Sequence, residues 1–303
     1  MNVSILIFSL NQIETITPTL CLIGKIVEKK LLSVHEVILL DNESSDGTGT
    51  LAQEYDFVKC KQIPKGTFHH AITRNFGASA CFGEIIVFLN GDASPEDENW
   101  LIKLIEPFNR YPNCAAVYSR QIPRPETNPT NKFRIKWNYP EKSMQKEIKL
   151  ASEFKHRLYS FSTVSCAIRS DVWSKFRFNE KINIYEDYEF TKRVIDAGYM
   201  IYYQSESVVR HCHNHSAIDL FRRYFDSGAL LNSVLKIKES NYAGEGFKYL
   251  KSGLLFFASN RDYHSIAVFM LQTICGYLGL KIGSHYHRLP TIFKKLGRYF
   301  AES

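Results

Sequence analysis

Short apolar runs alternate with amphipathic stretches through the first third of the chain, and that alternation predicts its fold class. Residues 3–10, 36–40 and 85–89 read as strands, with a weaker candidate at 58–63, and helical spacing falls at 17–30, 50–55, 71–81 and 100–109. Strands and helices in turn imply right-handed βαβ units and a mostly parallel central sheet, an α/β fold. The 85–89 run is apolar throughout, which suits a central strand covered on both faces. Between 121 and 139 the sequence QIPRPETNPTNKFRIKWNY is polar and rich in proline, and is expected to be a long irregular loop of the kind that carries function. An α+β pattern returns after Ser162, and from about Asp219 onward the chain reads as helical.

In an open parallel sheet the ligand lies beyond the carboxyl ends of the strands, so Asn90 and Asp92, just past the 85–89 strand, are expected to face a crevice. A carboxylate there can hold a hard divalent cation that neutralises a diphosphate, or it can simply sit in a turn and cap the next helix. Asp41 ends the second strand and opens DNESSDGT, an Asx-rich turn able to accept hydrogen bonds from a base or ribose. No GxGxxG follows the first strand and no GxxxxGK[ST] occurs, so dinucleotide-binding and P-loop chemistry lack their glycines. Glu186-Asp187 precedes Phe190, Val194 and Ile195 at helical spacing, which puts two acids at a helix start with an apolar face turned inward. In RHCHNHS, residues 210–216, His211, Cys212 and His213 are too close in sequence for all three to chelate one ion from a strand, although His211 and His213 share a face. Ser216 and Asp219 form a capping box for a helix bearing Arg222 and Arg223, which meet phosphate or cover a solvated face.

Composition narrows the partners. A chain of 303 residues, 45% hydrophobic and 23% charged, suits one large globular unit or one domain with an appendage. The seven cysteines are scattered without a CxxC pair, as in a reduced cytosolic protein. The start, MNVSILIFSLNQIE, lacks a basic n-region, so no secretory signal is expected. A formal net charge of +7 is spread along the chain rather than massed, which disfavours nucleic acid and leaves a polyanionic or membrane-surface partner open.

Taken together, DNESSDGT, GTFHHAITRNFGASACFGEIIVFLNGDASP (66–95), YSRQIPRPETNPTNKF (118–133) and INIYEDYEFTKRVIDAGYMIYYQSESVVRHCHNHS (182–216) resemble glycosyltransferase family 2, of GT-A fold, and within it the bacterial rhamnosyltransferases. The resemblance covers residues 3–235 and is weakest beyond 240. It implies a catalytic domain at 1–218, with a nucleotide-sugar half at about 1–95 and an acceptor half at about 96–218, while the helical region at 219–303 is expected from its own pattern to associate with membrane or with a second copy. It further implies an inverting transfer of rhamnose from dTDP-L-rhamnose to a hydroxyl of a cell-surface polysaccharide or lipid-linked glycan. In that reading Asp187 is the general base, Glu186 orients or binds the acceptor, and Mg²⁺ or Mn²⁺ is held by Asp92 with His213, His211 being the alternative. Ser9, Asn11, Asp41, Asn42, Ser44, His70, Arg74, Asn90 and Gly91 would hold the nucleotide sugar. Many members carry DxD where this chain has Asn90-Gly91-Asp92, which leaves one charged ligand at the turn. A UDP-hexose donor is the alternative enzyme reading, and a degenerate glycan-binding or scaffolding subunit the non-enzyme one. Trp137 and Tyr139 would stack on a sugar or anchor the loop.

Residues 266–280 carry no charge but fall short of the ~20 residues needed to span a bilayer, so a buried or interfacial helix is expected. Over 281–300, Lys281, Arg288, Lys294, Lys295 and Arg298 interleave with large apolar residues, the pattern of a basic amphipathic helix on an anionic surface or of a helix docked on its own domain or on a second subunit. A cytoplasmic protein on the inner face of the cytoplasmic membrane is the expected location.

Overall fold

The computed structural model describes residues 1–150, 157–233, 243–294 and 296–297. Its chain forms two compact units, one of residues 1–122 and 139–211, the other of 123–138 and 212–303.

The first unit is built on one sheet of β1 (Val3–Ser9), β2 (Val34–Asp41), β3 (Val58–Gln62), β4 (Ile85–Asn90), β5 (Ser94–Pro95), β6 (Cys114–Ile122), β7 (Met144–Lys146), β8 (Ser165–Arg169) and β9 (Met200–Arg210). The order is β3-β2-β1-β4-β8-β6-β9-β5, with β7 also on β9. The half from β3 to β4 is parallel throughout, as the βαβ pattern predicts, and β8 enters antiparallel between β4 and β6. Side chains alternate along β1. Val3, Ile5 and Ile7 pack with Ile16, Leu20 and Ile23 of α1 (Ile13–Glu28) and with Trp100 and Leu104 of α4 (Asn99–Arg110). Leu6 and Phe8 face the opposite core, which holds Ala71 and Ala78 of α3 (His70–Ser79). That core also contains Val172 of α6 (Ser170–Phe176) and Phe190, Val194 and Ile195 of α7 (Glu186–Asp196). The result is a three-layer sandwich with every parallel strand end aimed at the same edge.

α1 begins four residues before the periodicity suggests. Its first N–H, on Ile13, donates to Asp46 Oδ2 at 3.0 Å and the Gln12 N–H donates to Thr48 Oγ1 at 3.0 Å, so the helix is capped by the loop after β2. Burial opposes ionisation of Asp46, but hydrogen bonds from Thr48 and Ile13 outweigh it and hold the carboxyl below its usual value. α2 (Thr48–Ala52) follows this loop directly.

The second unit corrects the loop expected at 121–139: residues Pro129–Asn138 are a helix, α5. Asn128 Oδ1 accepts from the Asn131 N–H at 3.0 Å and Pro129 occupies the first helical position, so an Asn-Pro pair that looks like a turn is a helix start. α8 (Ala217–Ser233) opens on the expected capping box, with Ser216 N–H donating to Asp219 Oδ2 at 3.0 Å and Asp219 N–H to Ser216 Oγ at 3.2 Å. α9 (Ala243–Ser259) and α10 (Tyr263–Gly283) follow, then the single turn α11 (Thr291–Lys294). At 21 residues α10 is longer than the uncharged run at its centre suggests, because Asp262 caps it by accepting from Ser265 N–H and Lys281 falls inside its last turn. The expected basic helix at 281–300 divides into this last turn and α11; Lys295 and Arg298–Phe300 lie outside the described residues.

Candidate active site and metal centre

Three clusters gather at the carboxyl edge of the parallel strands. In the first, the ends of β1 and β2 meet. Asp41 is 1% exposed and accepts from both the N–H and the hydroxyl of Ser44, while Ser44 Oγ accepts from Asn11 N–H at 2.8 Å. Asn11 stands in the left-handed region at φ 53 and its Oδ1 accepts from Ser45 N–H at 2.8 Å. The Asn42 N–H donates to the Ser9 carbonyl at 2.9 Å. Ser9, Asn11, Asp41, Asn42 and Ser44 are therefore brought together. Among the described residues the buried Ser9 hydroxyl has no hydrogen-bond partner.

The second cluster centres on Arg74 of α3, 4% exposed. Its guanidinium donates to Glu186 Oε1 at 2.7 Å and to Asn90 Oδ1 at 3.3 Å, lies 3.1 Å from His70 Nδ1, and stands over the Phe8 ring at 5.5 Å. One side chain thus ties α3 to the end of β4 and to the start of α7. Removing one partner of a buried pair strands the other charge in a low-dielectric site. Arg74→Met is accordingly expected to lower unfolding free energy by about 3–5 kcal/mol in chemical denaturation. The double variant Arg74→Met/Glu186→Leu should recover most of that loss, and a single variant within ~1 kcal/mol of wild type would remove the pair from any structural role. Asp187 follows Glu186 in the first turn of α7, half-buried, with its Oδ1 accepting from Tyr188 N–H at 2.8 Å. Cys166 lies close enough to feel Arg74 and Asp187, but burial drives its thiol far up, so it stays protonated and inert.

The third cluster is the turn after β4. The Gly91 N–H donates to the Phe8 carbonyl at 2.6 Å, and a Cβ on Gly91 would stand 2.8 Å from that oxygen, so only glycine lets the turn lie this close to β1. β5 then pairs with β9, Ser94 opposite Arg210, which carries the next residue of β9's continuation, His211, to Asp92. His211 Nε2 lies 3.5 Å from Asp92 Oδ2. Its other nitrogen is fixed by Gln121, a residue that the sequence reading did not single out. The Gln121 amide donates to Tyr139 Oη and Ser162 Oγ, both at 2.8 Å, so its Oε1 accepts from His211 Nδ1 at 2.9 Å. That assigns the proton to Nδ1 and leaves the Nε2 lone pair facing Asp92, the outer-shell arrangement common to metal-binding histidines. A carboxylate oxygen beside an imidazole nitrogen suits Mn²⁺, and oxygen from the ligand side would satisfy Mg²⁺. His213, the sequence-based choice for the metal, lies two residues further along the chain, in the 212–303 segment of the second unit.

His69, beside His70, caps α3 by accepting from Ile72 N–H at 3.3 Å, and burial lowers its pKa. Trp137 packs its ring on Phe133 and Tyr249 within the second unit, and Tyr139 Oη accepts from the Gln121 amide at 2.8 Å.

Residues 4–173 match the model of Glycosyl transferase family 2. The chain is 30% identical over 268 residues to the O-antigen chain rhamnosyltransferase RfbN of Salmonella typhimurium, covering 87% of this chain and 85% of that one. It is 32% identical over 267 residues to the O-antigen chain rhamnosyltransferase WbaN of Salmonella anatum, with 87% and 84% covered. Among solved structures, the mannosyltransferase PcManGT from Pyrobaculum calidifontis, in complex with GDP-Man and Mn²⁺, superposes with a TM-score of 0.61 at 13% identity, covering 92% of this chain and 86% of that one. Glucosyl-3-phosphoglycerate synthase from Mycobacterium tuberculosis, in complex with Mn²⁺, UDP-glucose and phosphoglyceric acid, does so at 0.55 and 20% identity, with 79% and 81% covered. These likenesses give the fold as GT-A. The chain belongs to glycosyl transferase family 2.

Proposed function

We propose that this glycosyltransferase transfers L-rhamnose from dTDP-L-rhamnose, with inversion, to a hydroxyl of an O-antigen-type polysaccharide or its lipid-linked precursor. The reading is carried by its 30–32% identity, over most of both chains, to two O-antigen chain rhamnosyltransferases. Asp187 takes the proton of the acceptor hydroxyl. That oxygen attacks the anomeric carbon in line, and the bond from that carbon to the diphosphate breaks, the diphosphate leaving with the electron pair. Asp92 and His211 would hold a divalent cation, which would supply positive charge to neutralise the departing diphosphate. Gln121 orients His211 for this work, and the Arg74–Glu186 pair fixes the start of α7 so that Asp187 keeps its position. Ser9, Asn11, Asp41, Asn42 and Ser44 hold the nucleoside, with the free Ser9 hydroxyl available to it, and His70, Asn90 and Gly91 border the sugar diphosphate. The enzyme works in the cytoplasm against the inner face of the cytoplasmic membrane, where nucleotide sugars meet lipid-linked acceptors.

A donor panel tests the reading. With Mn²⁺ present, nucleoside diphosphate release is expected from dTDP-rhamnose at no less than ten times the rate from UDP-glucose, UDP-galactose or GDP-mannose. Turnover with a UDP-sugar alone would overturn the donor while leaving the family intact. Silence with every donor and a competent acceptor would favour a glycan-binding role.

A further inference from the structure

α10 is assembled inside out for a helix in water. Its buried residues are Ser265, Phe269, Gln272, Gly276, Gly279 and Gly283, mostly small or polar, and its exposed stripe is large and apolar. Tyr263 is 71% exposed, Leu271 56%, Ile274 52% and Tyr277 57%, with Met270 and Leu278 alongside them at helical spacing. The glycines explain the inward face. A Cβ on Gly279 or Gly283 would stand 2.2 or 2.0 Å from the carbonyl oxygens of Phe221 and Phe225, so α10 and α8 touch backbone to backbone. Small residues at the helix contact and bulky apolar ones turned outward form the arrangement that helices adopt where the surrounding solvent is lipid. In length and composition α10 would reach across a bilayer. Its partner α8, however, carries Arg222, Arg223 and Asp226, which the hydrocarbon core penalises heavily, so the pair is suited to lie in the plane of the interface.

Phe247, Leu255 and Phe256 of α9 are exposed as well. The charges are one-sided. From residue 243 to the end of the sequence there are eight Lys and Arg against three Asp and Glu, a net +5 of the chain's +7. Arg261 and Lys281 stand exposed at the two ends of α10, and Lys248 and Lys251 on α9. A second copy docked here would bring these like charges together, whereas an anionic bilayer neutralises them.

The geometry points to the outward faces of α9 and α10 as an in-plane lipid-binding surface for an anionic bilayer. This rests on the inner-face location proposed above and replaces the 281–300 tail with a defined apolar stripe.

The test is co-sedimentation of the full chain with vesicles of phosphatidylglycerol and, separately, of phosphatidylcholine. Strong binding to the first, falling as salt rises, is expected, and weak binding to the second. The double variant Leu271→Glu/Ile274→Glu, at exposed positions, should lower the partition coefficient at least ten-fold with unchanged circular dichroism and melting. Ile274→Trp should shift its emission to the blue on adding anionic vesicles, an independent readout if the charged variant loses its fold. Wild-type binding with an unaffected double variant and no Trp shift would overturn the surface while the location stands. No binding of wild type to either vesicle would overturn both. Lipid-free dimers that the double variant abolishes would give the face to a second copy instead.

Discussion

Asp187→Asn is expected to slow glycosyl transfer by about 10³-fold or more at saturating donor, while donor affinity changes by no more than a few-fold. Asparagine matches aspartate in shape, and its side-chain oxygen can still accept from the Tyr188 N–H, so the first turn of α7 persists. What is lost is the ability to take a proton from the acceptor hydroxyl as the new bond forms, a contribution of roughly 10²–10⁴ in rate. The neighbouring Glu186 makes the contrast. It is buried and ion-paired with Arg74, so Glu186→Gln should act first on stability and only through it on rate. Steady-state release of nucleoside diphosphate gives kcat, and calorimetric titration of the donor gives affinity. Transfer by Asp187→Asn at near wild-type rate would take the base role from Asp187.

Most of the scaffold was legible because it rests on local periodicity. The β1, β2 and β4 runs are apolar on both faces, and α3, α4 and α7 announce themselves by spacing, with Phe190, Val194 and Ile195 buried as predicted. The failures are of two kinds: a cap supplied from a distance, and local signals misread. The first turn of α1 is held by Asp46 and Thr48, more than thirty residues away, so no window around residue 13 contains its cap. α5 was hidden by proline and polar residues, yet the Asn128-Pro129 pair that suggested a loop is what starts the helix. α10 was underestimated because a search for uncharged residues stops at Leu280, whereas the helix continues through Lys281 to Gly283.

The site divides in the same way. The DNESSDGT turn and the Glu186-Asp187 pair stand out as strings, and the structure gathers Ser9, Asn11, Asp41 and Ser44 as a set. That His211 Nε2 lies 3.5 Å from Asp92 Oδ2 could not be read from spacing, because it depends on the antiparallel pairing of β5 with β9. Gln121 carried no signal of its own chemistry. Its amide becomes informative only once Tyr139 and Ser162 are seen to occupy both of its hydrogens.

That geometry sets the scale of the last effect. Asp92 is the single carboxylate at the turn, 3.5 Å from His211 Nε2, so Asp92→Ala removes the charged member of the proposed metal pair. Donor affinity measured calorimetrically in Mn²⁺ is expected to fall at least 100-fold, to the value that wild type shows in EDTA, and added metal should no longer improve it. Asn90→Ala should be much milder. Its side chain accepts from Arg74 rather than facing His211, so the loss is one hydrogen bond, about 1 kcal/mol of stability. Gln121→Leu lies between the two. The Nδ1 proton of His211 loses its acceptor, the ring is no longer held, and Mn²⁺ affinity should drop about 10–100-fold with the donor site otherwise intact. The order Asp92→Ala, then Gln121→Leu, then Asn90→Ala is specific to a metal held at the end of β4 and oriented from β6. A purely electrostatic role for Asp92 would leave Gln121→Leu silent, and full activity of wild type in EDTA would sink the metal mechanism altogether.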